Sequence, residues 1–293
     1  MRASSMCISC LLSKQERMIR NFKDENKKSE YMHELLGLLY QYSGEESAPA
    51  LAERINKLYE SFWGMGENYA AAKHQYNQLL LSKETEILAL IESAEDSVKE
   101  AIKYAAAGNY IDFSAVENVN EKTFQQLLQK AASETISEEE YTNFQEDLKQ
   151  AKRLVYLTDN CGEILLDKLL LHCLKKTYPG LQIMAVVRGE NVINDATMED
   201  AEEVGLTDMV ICIGNGNGAP GTVLKRLSRE ARQALAEADV IISKGQGNFE
   251  SLLGEGLNPY YLFLCKCELF VRRFGLQQYQ SVFVREERMK VDV

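Results

Sequence analysis

The chain has 293 residues, with 33 Lys and Arg against 44 Asp and Glu, so its formal net charge is −11. This acidic balance argues against a general nucleic-acid or anionic-membrane binder, because both partners require clustered positive charge. The length suggests about two domains, and a hydrophobic share of 45% is typical of a globular protein with a buried core.

The N-terminal sequence and the cysteines bear on the compartment. We expect a cytoplasmic protein, because no apolar run approaches the roughly 20 residues that span a bilayer and the N-terminus lacks a signal-peptide core. Seven cysteines, an odd number, do not suggest a disulfide framework. The CxxC of Cys7 and Cys10 and the CxC of Cys265 and Cys267 offer thiolates for a zinc ion or a redox role. Separate reduced thiols are the simpler interpretation.

Residues 1–150 are predicted to form a helical domain that covers the functional site. Only 5 of the 18 glycines lie in this half. Gly108 is an expected helix stop, and Asn120 and Ser137 are expected N-caps, the latter with Glu140 completing a capping box. The spacing of apolar residues predicts helices over 31–42, 48–63, 68–107 with a break near residue 82, 122–135 and 137–152.

Residues 151–293 are predicted to form a Rossmann-like α/β domain. Short apolar runs predict strands over 154–157, 182–187, 209–213, 240–242, 261–265 and 281–284. Helical stretches over 163–177, 198–204 and 222–238 separate the first four strands. Alternation of strands with helices implies right-handed crossovers and a mostly parallel sheet flanked by helices. Ligands bind such sheets at the carboxyl ends of the strands, so the loops at that edge are expected to carry the function.

Two of these loops offer oxygen ligands for a metal ion. Asp159 and Asn160 follow the first predicted strand, and Asp195 follows the second. Two carboxylates and an amide carbonyl suit a hard divalent cation such as Mg²⁺ or Mn²⁺. The alternative is that Asp159 and Asn160 only cap the next helix. The convergence of two loops favours the metal site.

Two cations at strand ends are candidates for binding a phosphate. Lys244 ends the fourth strand and precedes glycines that allow close approach of a ligand to the backbone. Arg188 ends the second strand, and either cation is equally suited to an ordinary salt bridge. The glycine run at 214–218 does not favour a nicotinamide cofactor, because it follows the third strand and no acidic residue ends the next one. We interpret it as a flexible loop beside the site.

Four segments, together with the CxxC, resemble the metal-dependent damage-control phosphatases, long known as a domain of unknown function. The similarity is closest to the stand-alone prokaryotic branch, in which an N-terminal CxxC is typical. Two residues depart from the family pattern: Cys161 stands where a small residue is expected and Asn191 where proline is common. Neither departure removes a presumed ligand. The matching segments are AGNYIDF, LTDNCGEILLDKLLL, VVRGENVINDATMEDAEEVGL and ISKGQGNFESL.

The resemblance implies a phosphoric monoester hydrolase that acts on small phosphorylated metabolites, such as sugar phosphates or damaged phosphorylated cofactors. It implies that Mn²⁺, Mg²⁺, Co²⁺ or Ni²⁺ is held by Asp159, Asn160 and Asp195, which would also be the catalytic residues. Lys244 would then lie near the substrate phosphate. Asp159 either attacks phosphorus to form an aspartyl-phosphate or orients a metal-bound water. Further candidates for substrate contacts are Arg188, Glu163, Asn109 and Asp112.

Two alternatives belong to other functional classes. One is a carboxyl methyltransferase that uses S-adenosylmethionine, with the loop at 214–218 holding the nucleoside; this leaves the metal cluster without a task. The other is a non-catalytic module in which metal binding only stabilises the fold or an oligomer. The sequence determines neither the physiological substrate nor the oligomeric state.

Overall fold

The computed structural model of the chain describes residues 1–64, 69–110 and 121–289, with side chains from residue 124 onward in the last range. The half of the chain predicted to be helical is helical throughout these ranges. Within them, eight helices precede the first strand: Ser5–Ile19 (α1), Glu25–Tyr42 (α2), Ala48–Trp63 (α3), Ala70–Leu81 (α4), Glu84–Glu92 (α5), Ser97–Gly108 (α6), Glu121–Ser133 (α7) and Glu138–Gln150 (α8).

Capping side chains set several of these helix boundaries. The stretch predicted as two helices over 68–107 contains three, because Asp96 accepts two backbone N–H groups and starts α6. Ser137 caps α8 as predicted, accepting the N–H of Glu140 at 3.4 Å. The predicted capping box is wrong, since the Glu140 carboxylate accepts hydrogen bonds from Arg288 instead. The predicted cap at residue 120 lies outside the described residues.

Strands and helices alternate after residue 150, as predicted. The described residues of this half form Arg153–Leu157 (β1), Glu163–Thr177 (α9), Gln182–Val187 (β2), Met198–Glu203 (α10), Ile211–Gly214 (β3), Arg229–Glu237 (α11), Val240–Lys244 (β4), Gln246–Leu252 (α12), Tyr260–Leu264 (β5), Glu268–Phe274 (α13) and Ser281–Arg285 (β6).

Two predicted elements of this half differ from the structure. The third strand, predicted over 209–213, covers Ile211–Gly214. The helix predicted over 222–238 is wrong in its first half, where a single 3-10 turn at Leu224–Arg226 precedes α11. α11 begins late because Ser228 caps it, accepting the N–H of Ala231 at 3.1 Å.

The six strands form one sheet in the order β3-β2-β1-β4-β5-β6. All neighbouring strands are parallel except β6, which pairs antiparallel with β5. Apolar side chains therefore alternate between two covered faces: along β1, Leu154 and Tyr156 join one core and Val155 and Leu157 join the other. The predicted α/β class with a mostly parallel sheet is confirmed.

Helices cover both faces of the sheet. One core contains residues of α4 to α10, and the other contains residues of α11, α12 and α13. The first three helices have a separate small core built around Tyr31, Leu35 and Leu51. The division into two domains near residue 150 stays a prediction. Helices on the N-terminal side of this boundary share a core with the sheet on its C-terminal side.

The helix α4 holds the loop that follows β1. Asn77 of α4 accepts the N–H of Gly162 at 2.7 Å and donates to Asp200 of α10 at 2.9 Å. The ammonium of Lys73, also on α4, lies 2.6 Å from the same Asp200 carboxylate. These buried contacts fix the position of the segment that follows Asp159 and Asn160. Throughout the described ranges, no helix is long and apolar enough to span a bilayer.

Candidate active site

The candidate site lies where the strand order reverses. β1 is flanked by β2 and β4, so the connections that follow β1 and β4 lead in opposite directions and leave a crevice at the carboxyl edge. Asp159 and Asn160 follow β1, Asp195 lies in the loop after β2, and Lys244 ends β4. The topology therefore brings these four residues to one edge of the sheet.

Backbone pairing joins the loops after β1 and β2. Asn160 and Asp195 form an isolated antiparallel bridge, and the N–H of Ala196 donates to the carbonyl oxygen of Asp159 at 2.8 Å. The Asn194 side chain also donates to Asn160 Oδ1 at 2.8 Å. The three residues predicted as metal ligands are thus neighbours, although their role as ligands stays a prediction.

Negative charge accumulates around Asp159. Burial raises the pKa of this carboxyl to about 8, together with repulsion from Glu163 and Asp195, against the lowering effect of Arg188. Its side chain is still 14% exposed, so a solvent-borne ion can reach it. Gly245 packs directly on this carboxylate: a Cβ at that position would lie 2.0 Å from Asp159 Oδ2, and its φ of 81° also favours glycine.

Arg188 is buried with one donor group unused. Its Nε donates to Asp195 Oδ2, and its Nη1 donates to Asn248 Oδ1 at 3.1 Å. Nη2 lies 3.7 Å from Asp159 Oδ1 and has no hydrogen-bond partner among the described residues. A buried guanidinium nitrogen without a partner is unusual. It is suited to donate to an anion held beside Asp159.

Asn248, in the first turn of α12, orients Arg188. Its amide nitrogen donates to the carbonyl oxygens of Thr158 at 2.9 Å and Lys244 at 2.7 Å. Its amide oxygen accepts the hydroxyl of Thr222 at 2.8 Å in addition to Arg188. These four hydrogen bonds fix the side chain between the ends of β1 and β4. The sequence motif KGQGN contained this residue, but we predicted no role for it.

Glu163 connects the site to the helices of the first half. Its Oε1 accepts the backbone N–H of Asn160 at 2.8 Å and the side-chain amide of Asn160 at 3.0 Å. Its Oε2 accepts a hydrogen bond from Asn109, the residue that ends α6. Glu163 and Asn109 therefore lie at the site, where they orient Asn160. Asp112, predicted as a further substrate contact, lies outside the described residues.

Lys244 is enclosed by protein atoms. Its Nζ donates to the carbonyl oxygen of Ala105 at 2.6 Å, lies 3.1 Å from Asp167 Oδ1 and lies 3.6 Å from Glu163 Oε2. The residue has no exposed surface. In this arrangement its charge acts on the carboxylates of α9, and its predicted contact with a phosphate stays a prediction.

Lys266 is a site residue that the sequence analysis missed. It follows β5, and its N–H donates to Gln246 Oε1 at 3.1 Å, which fixes it beside the start of α12. The side chain is exposed, and its positive charge opposes the raised pKa of Asp159, whose main cause is burial. The signal was its place at the carboxyl end of a parallel strand; we had considered only the first four strands.

The donor set suits a divalent cation. Asp159, Asp195 and Asn160 supply oxygen atoms, which hard cations prefer, and repulsion from Glu163 and Asp195 adds to burial in raising the pKa of Asp159. In the described part of the chain, no group of three His, Cys, Asp or Glu side chains is arranged around a common point. The predicted set has only two carboxylates, and Arg188 occupies one oxygen of Asp195. An acidic cluster with adjacent cations at this edge is typical of α/β enzymes that bind a cation and a small anion.

Comparisons with known proteins identify the family. The model of the damage-control phosphatase ARMT1-like domain matches residues 3–282. A damage-control phosphatase of Archaeoglobus fulgidus is 33% identical, over 94% of this chain and 96% of that protein. A damage-control phosphatase of Pyrococcus horikoshii is 27% identical over 98% and 99% of the two chains. A crystal structure of a DUF89 family protein from P. horikoshii superposes with a TM-score of 0.80 at 26% identity, covering 98% of this chain and 99% of that one.

The chain belongs to the damage-control phosphatase ARMT1-like domain family. The resemblance inferred from the sequence is confirmed, and so are the predicted enzyme class and phosphatase activity. Metal dependence agrees with the family, and the identity of the ion and the roles of individual residues stay predictions. The methyltransferase interpretation gains no support from them.

Proposed function

We propose that this phosphatase hydrolyses phosphate monoesters of small, damaged metabolites, with a divalent cation (Mn²⁺, Mg²⁺, Co²⁺ or Ni²⁺) held by Asp159, Asn160 and Asp195. The observation that carries the proposal is the burial of Asp159 beside Glu163 and Asp195: burial and, after it, repulsion from these two carboxylates raise the Asp159 pKa to about 8. A protein gains by placing a cation in such a cluster, because the cation relieves the repulsion between the carboxylates. Relatives named damage-control phosphatases support the substrate class.

The bound ion would neutralise charge on the transferring phosphoryl group. The residues of the chain hold the other groups in place. Glu163 fixes the Asn160 amide through two hydrogen bonds, and Asn109 fixes Glu163. The unpaired Nη2 of Arg188 donates to a phosphoryl oxygen. In phosphoryl transfer this positioning and charge neutralisation provide most of the rate acceleration, while water displaces the alcohol from phosphorus.

Lys266 supplies positive charge at the mouth of the site. Because its side chain is exposed whereas Arg188 and Lys244 are buried, it is the cation that an approaching phosphate meets first. With a net charge of −11, the rest of the surface repels large polyanions. A small phosphorylated metabolite is therefore a better partner than a nucleic acid.

The test is turnover of a generic phosphate monoester by protein freed of metal with a chelator. We expect no turnover without added ion and recovery with at least one of Mn²⁺, Mg²⁺, Co²⁺ and Ni²⁺. A matched pair of variants locates the site: Asp195→Asn abolishes turnover, whereas Asp239→Asn leaves it unchanged. Asp239 accepts the N–H groups of Lys152 and Arg153 at the amino end of β1, opposite the site.

The outcomes separate the alternatives. A folded protein that hydrolyses no phosphate ester with any of the four ions contradicts the proposal. If it also gains thermal stability from the ion, the non-catalytic module is favoured. Tight binding of S-adenosylmethionine in calorimetry favours the methyltransferase instead. A damaged-metabolite substrate requires that the damaged phosphate ester has a higher kcat/KM than its undamaged counterpart.

A further inference from the structure

A buried carboxylate that was not among the predicted site residues lies behind the site. Asp167 follows Glu163 by one turn of α9, so both side chains lie on the same face of that helix. Asp167 has no exposed surface. An ionised carboxylate is costly to bury without partners, so the groups around it indicate what holds it there.

Two side chains meet the same oxygen of Asp167. The Tyr156 hydroxyl donates to Asp167 Oδ1 at 2.6 Å, and Lys244 Nζ lies 3.1 Å from that atom. The other oxygen, Oδ2, has no hydrogen-bond partner among the described residues. Burial raises the pKa of Asp167 to about 6, although the charge of Lys244 acts to lower it. The contact with Lys244 is therefore what keeps this carboxylate ionised near neutral pH.

The ammonium of Lys244 in turn lies between two helices. It donates to the Ala105 carbonyl of α6 at 2.6 Å, and on the α9 side it faces Asp167 at 3.1 Å and Glu163 at 3.6 Å. The opposite oxygen of Glu163 accepts the two hydrogen bonds from Asn160. A continuous series of contacts thus runs from Asp167 through Lys244 and Glu163 to Asn160.

We propose that Asp167 is a positioning residue of the phosphatase site: together with the Tyr156 hydroxyl it holds the Lys244 ammonium away from Glu163, so that Glu163 stays on Asn160. The inference rests on the proposed function, because it concerns the site proposed to hold the metal and the phosphate. Without the Asp167 charge, the ammonium keeps the Ala105 carbonyl and moves toward Glu163. That shift draws the Glu163 carboxylate from Asn160 and misplaces the amide.

The test is the kinetics of Asp167→Asn, which keeps the shape of the side chain and removes its charge. We expect kcat for a generic phosphate monoester to fall about tenfold, which corresponds to about 1.4 kcal/mol. KM changes less than about twofold, because no substrate contact is lost. Tyr156→Phe keeps the charge and loses only the hydroxyl, so it lowers kcat by about threefold, or roughly 0.7 kcal/mol.

The pH profile separates positioning from a merely structural role. Burial lowers the pKa of Lys244, but Asp167 and Glu163 of α9 outweigh burial, with a further contribution from Asp159 after β1, so the pKa is raised. In Asp167→Asn the Lys244 pKa falls, so in the alkaline range the amine becomes neutral and no longer draws Glu163 from Asn160, and the ratio of variant to wild-type kcat increases as the pH rises. A constant ratio overturns the proposal.

A second tyrosine and carboxylate provide controls, with the tyrosine buried and the carboxylate partly buried. The Tyr141 hydroxyl donates to Asp96 at 2.7 Å, at the opposite end of α6 from Asn109. Tyr141→Phe and Asp96→Asn are expected to lower the melting temperature and to leave kcat and its pH profile unchanged. A kcat loss in these controls as large as that in Asp167→Asn overturns the proposal, because any weakened core would then give the same effect.

Failure of the inference and failure of the proposed function give different results. Wild-type protein without phosphatase activity on any ester refutes the function itself. Active wild type with unchanged kcat in Asp167→Asn overturns only the role of Asp167. If Asp167→Asn does not fold, Tyr156→Phe decides, and an unchanged kcat in that variant overturns the proposal.

Discussion

Two clusters of charged side chains in this protein contain similar residue types but differ in how far their carboxylates are compensated by cations. The interface cluster joins α3 and the segment before it to the turn before α11, and it consists of Glu46, Glu53, Arg54, Lys57 and Arg226. The site cluster lies at the carboxyl ends of β1, β2 and β4, and it consists of Asp159, Glu163, Arg188, Asp195 and Lys244.

Every carboxylate of the interface cluster has two cationic partners. Glu46 lies 2.7 Å from Arg54 and 2.8 Å from Arg226. Glu53 lies 2.7 Å from Lys57 and also contacts Arg226. Burial alone would raise the pKa of both glutamates, but these hydrogen bonds and charges lower it. With three cations for two carboxylates, every carboxylate of the cluster is compensated and needs no bound cation.

The site cluster has more negative charge than its cations neutralise. Burial and two neighbouring carboxylates raise the pKa of Asp159 to about 8, and burial also raises that of Asp195. One nitrogen of Arg188, Nη2, has no hydrogen-bond partner among the described residues. The comparison of the two clusters indicates that buried charge alone does not identify an active site. The feature that distinguishes the candidate site is uncompensated charge, which a bound cation and a bound anion would neutralise.

Removing one charge from each cluster tests the difference between them most directly. Asp159→Asn is expected to reduce kcat by about 1000-fold or more, because it removes a proposed ligand of the metal. Without metal at alkaline pH, the same variant melts about 2–4 °C above wild type, since the repulsion is relieved. The measurements are turnover with Mn²⁺ and thermal unfolding. A lower melting temperature would mean that Asp159 is not repelled by its neighbours.

The two clusters should also differ in how the stability of the protein depends on pH. The folded-state pKa of Asp159, about 8, lies above its ordinary value of 3.8, so without metal this group makes stability fall as the pH rises between those values. The two glutamates of the interface cluster have lowered pKa values, so their stabilisation is lost as the pH falls through the acid range. We expect the rise in melting temperature on adding Mn²⁺ to be larger at pH 8.5 than at pH 6. Equal rises, or a rise retained in Asp159→Asn, would contradict this.

The interface cluster is expected to affect stability without affecting chemistry. Arg226 joins two glutamates and also donates to the carbonyl oxygen of Ala50 at 3.1 Å. Arg226→Met should cost about 1–2 kcal/mol, less than a fully buried pair because its side chain is partly exposed. Chemical denaturation measures this loss. The kcat should stay within about twofold of wild type, since no site residue moves; a larger drop would show that the two clusters are coupled.

The smallest expected effect is at Lys266. Lys266→Ala should raise KM for an anionic ester about threefold and leave kcat nearly unchanged, because an exposed charge contributes less than about 1 kcal/mol. The effect should disappear at high salt. Lys176→Ala is the control, since Lys176 is an exposed lysine in the last turn of α9, far along that helix from Glu163. An equal rise in both variants would assign the effect to net charge rather than to position.

Much of the fold followed from the sequence because its signals are local. The apolar period changes near residue 153, and strands alternating with helices allow few topologies. The errors lie where a capping side chain, rather than the spacing of apolar residues, sets a helix boundary. Asp96 divides a long helical stretch, and Ser228 starts α11 after a turn. The predicted helix over 222–238 was wrong for that reason.

The sequence predicted which residues lie at the candidate site, but it did not predict the contacts between them. Asp159, Asn160 and Asp195 were identified by their place after strands and by their oxygen donors. Asp167 was not predicted because an Asp-Lys pair within LLDKLLL resembles an ordinary polar position of a helix. Lys266 was not predicted because its charge acts on Asp159 only once β5 is placed beside β4 in the sheet. Both omissions concern charges whose significance depends on neighbours distant in the chain.

The sequence by itself determined the fold class, the family and the edge of the sheet that carries the site, since these depend on periodicity, strand ends and local motifs. Only the tertiary structure decided which charges are compensated. From the sequence, Lys244 was either a phosphate ligand or a salt-bridging residue at a strand end; in the structure it is enclosed by Ala105, Glu163 and Asp167. The physical reason is that the charge state of a buried group depends on its burial and on all of its neighbours in space, and spacing along one chain does not reveal them.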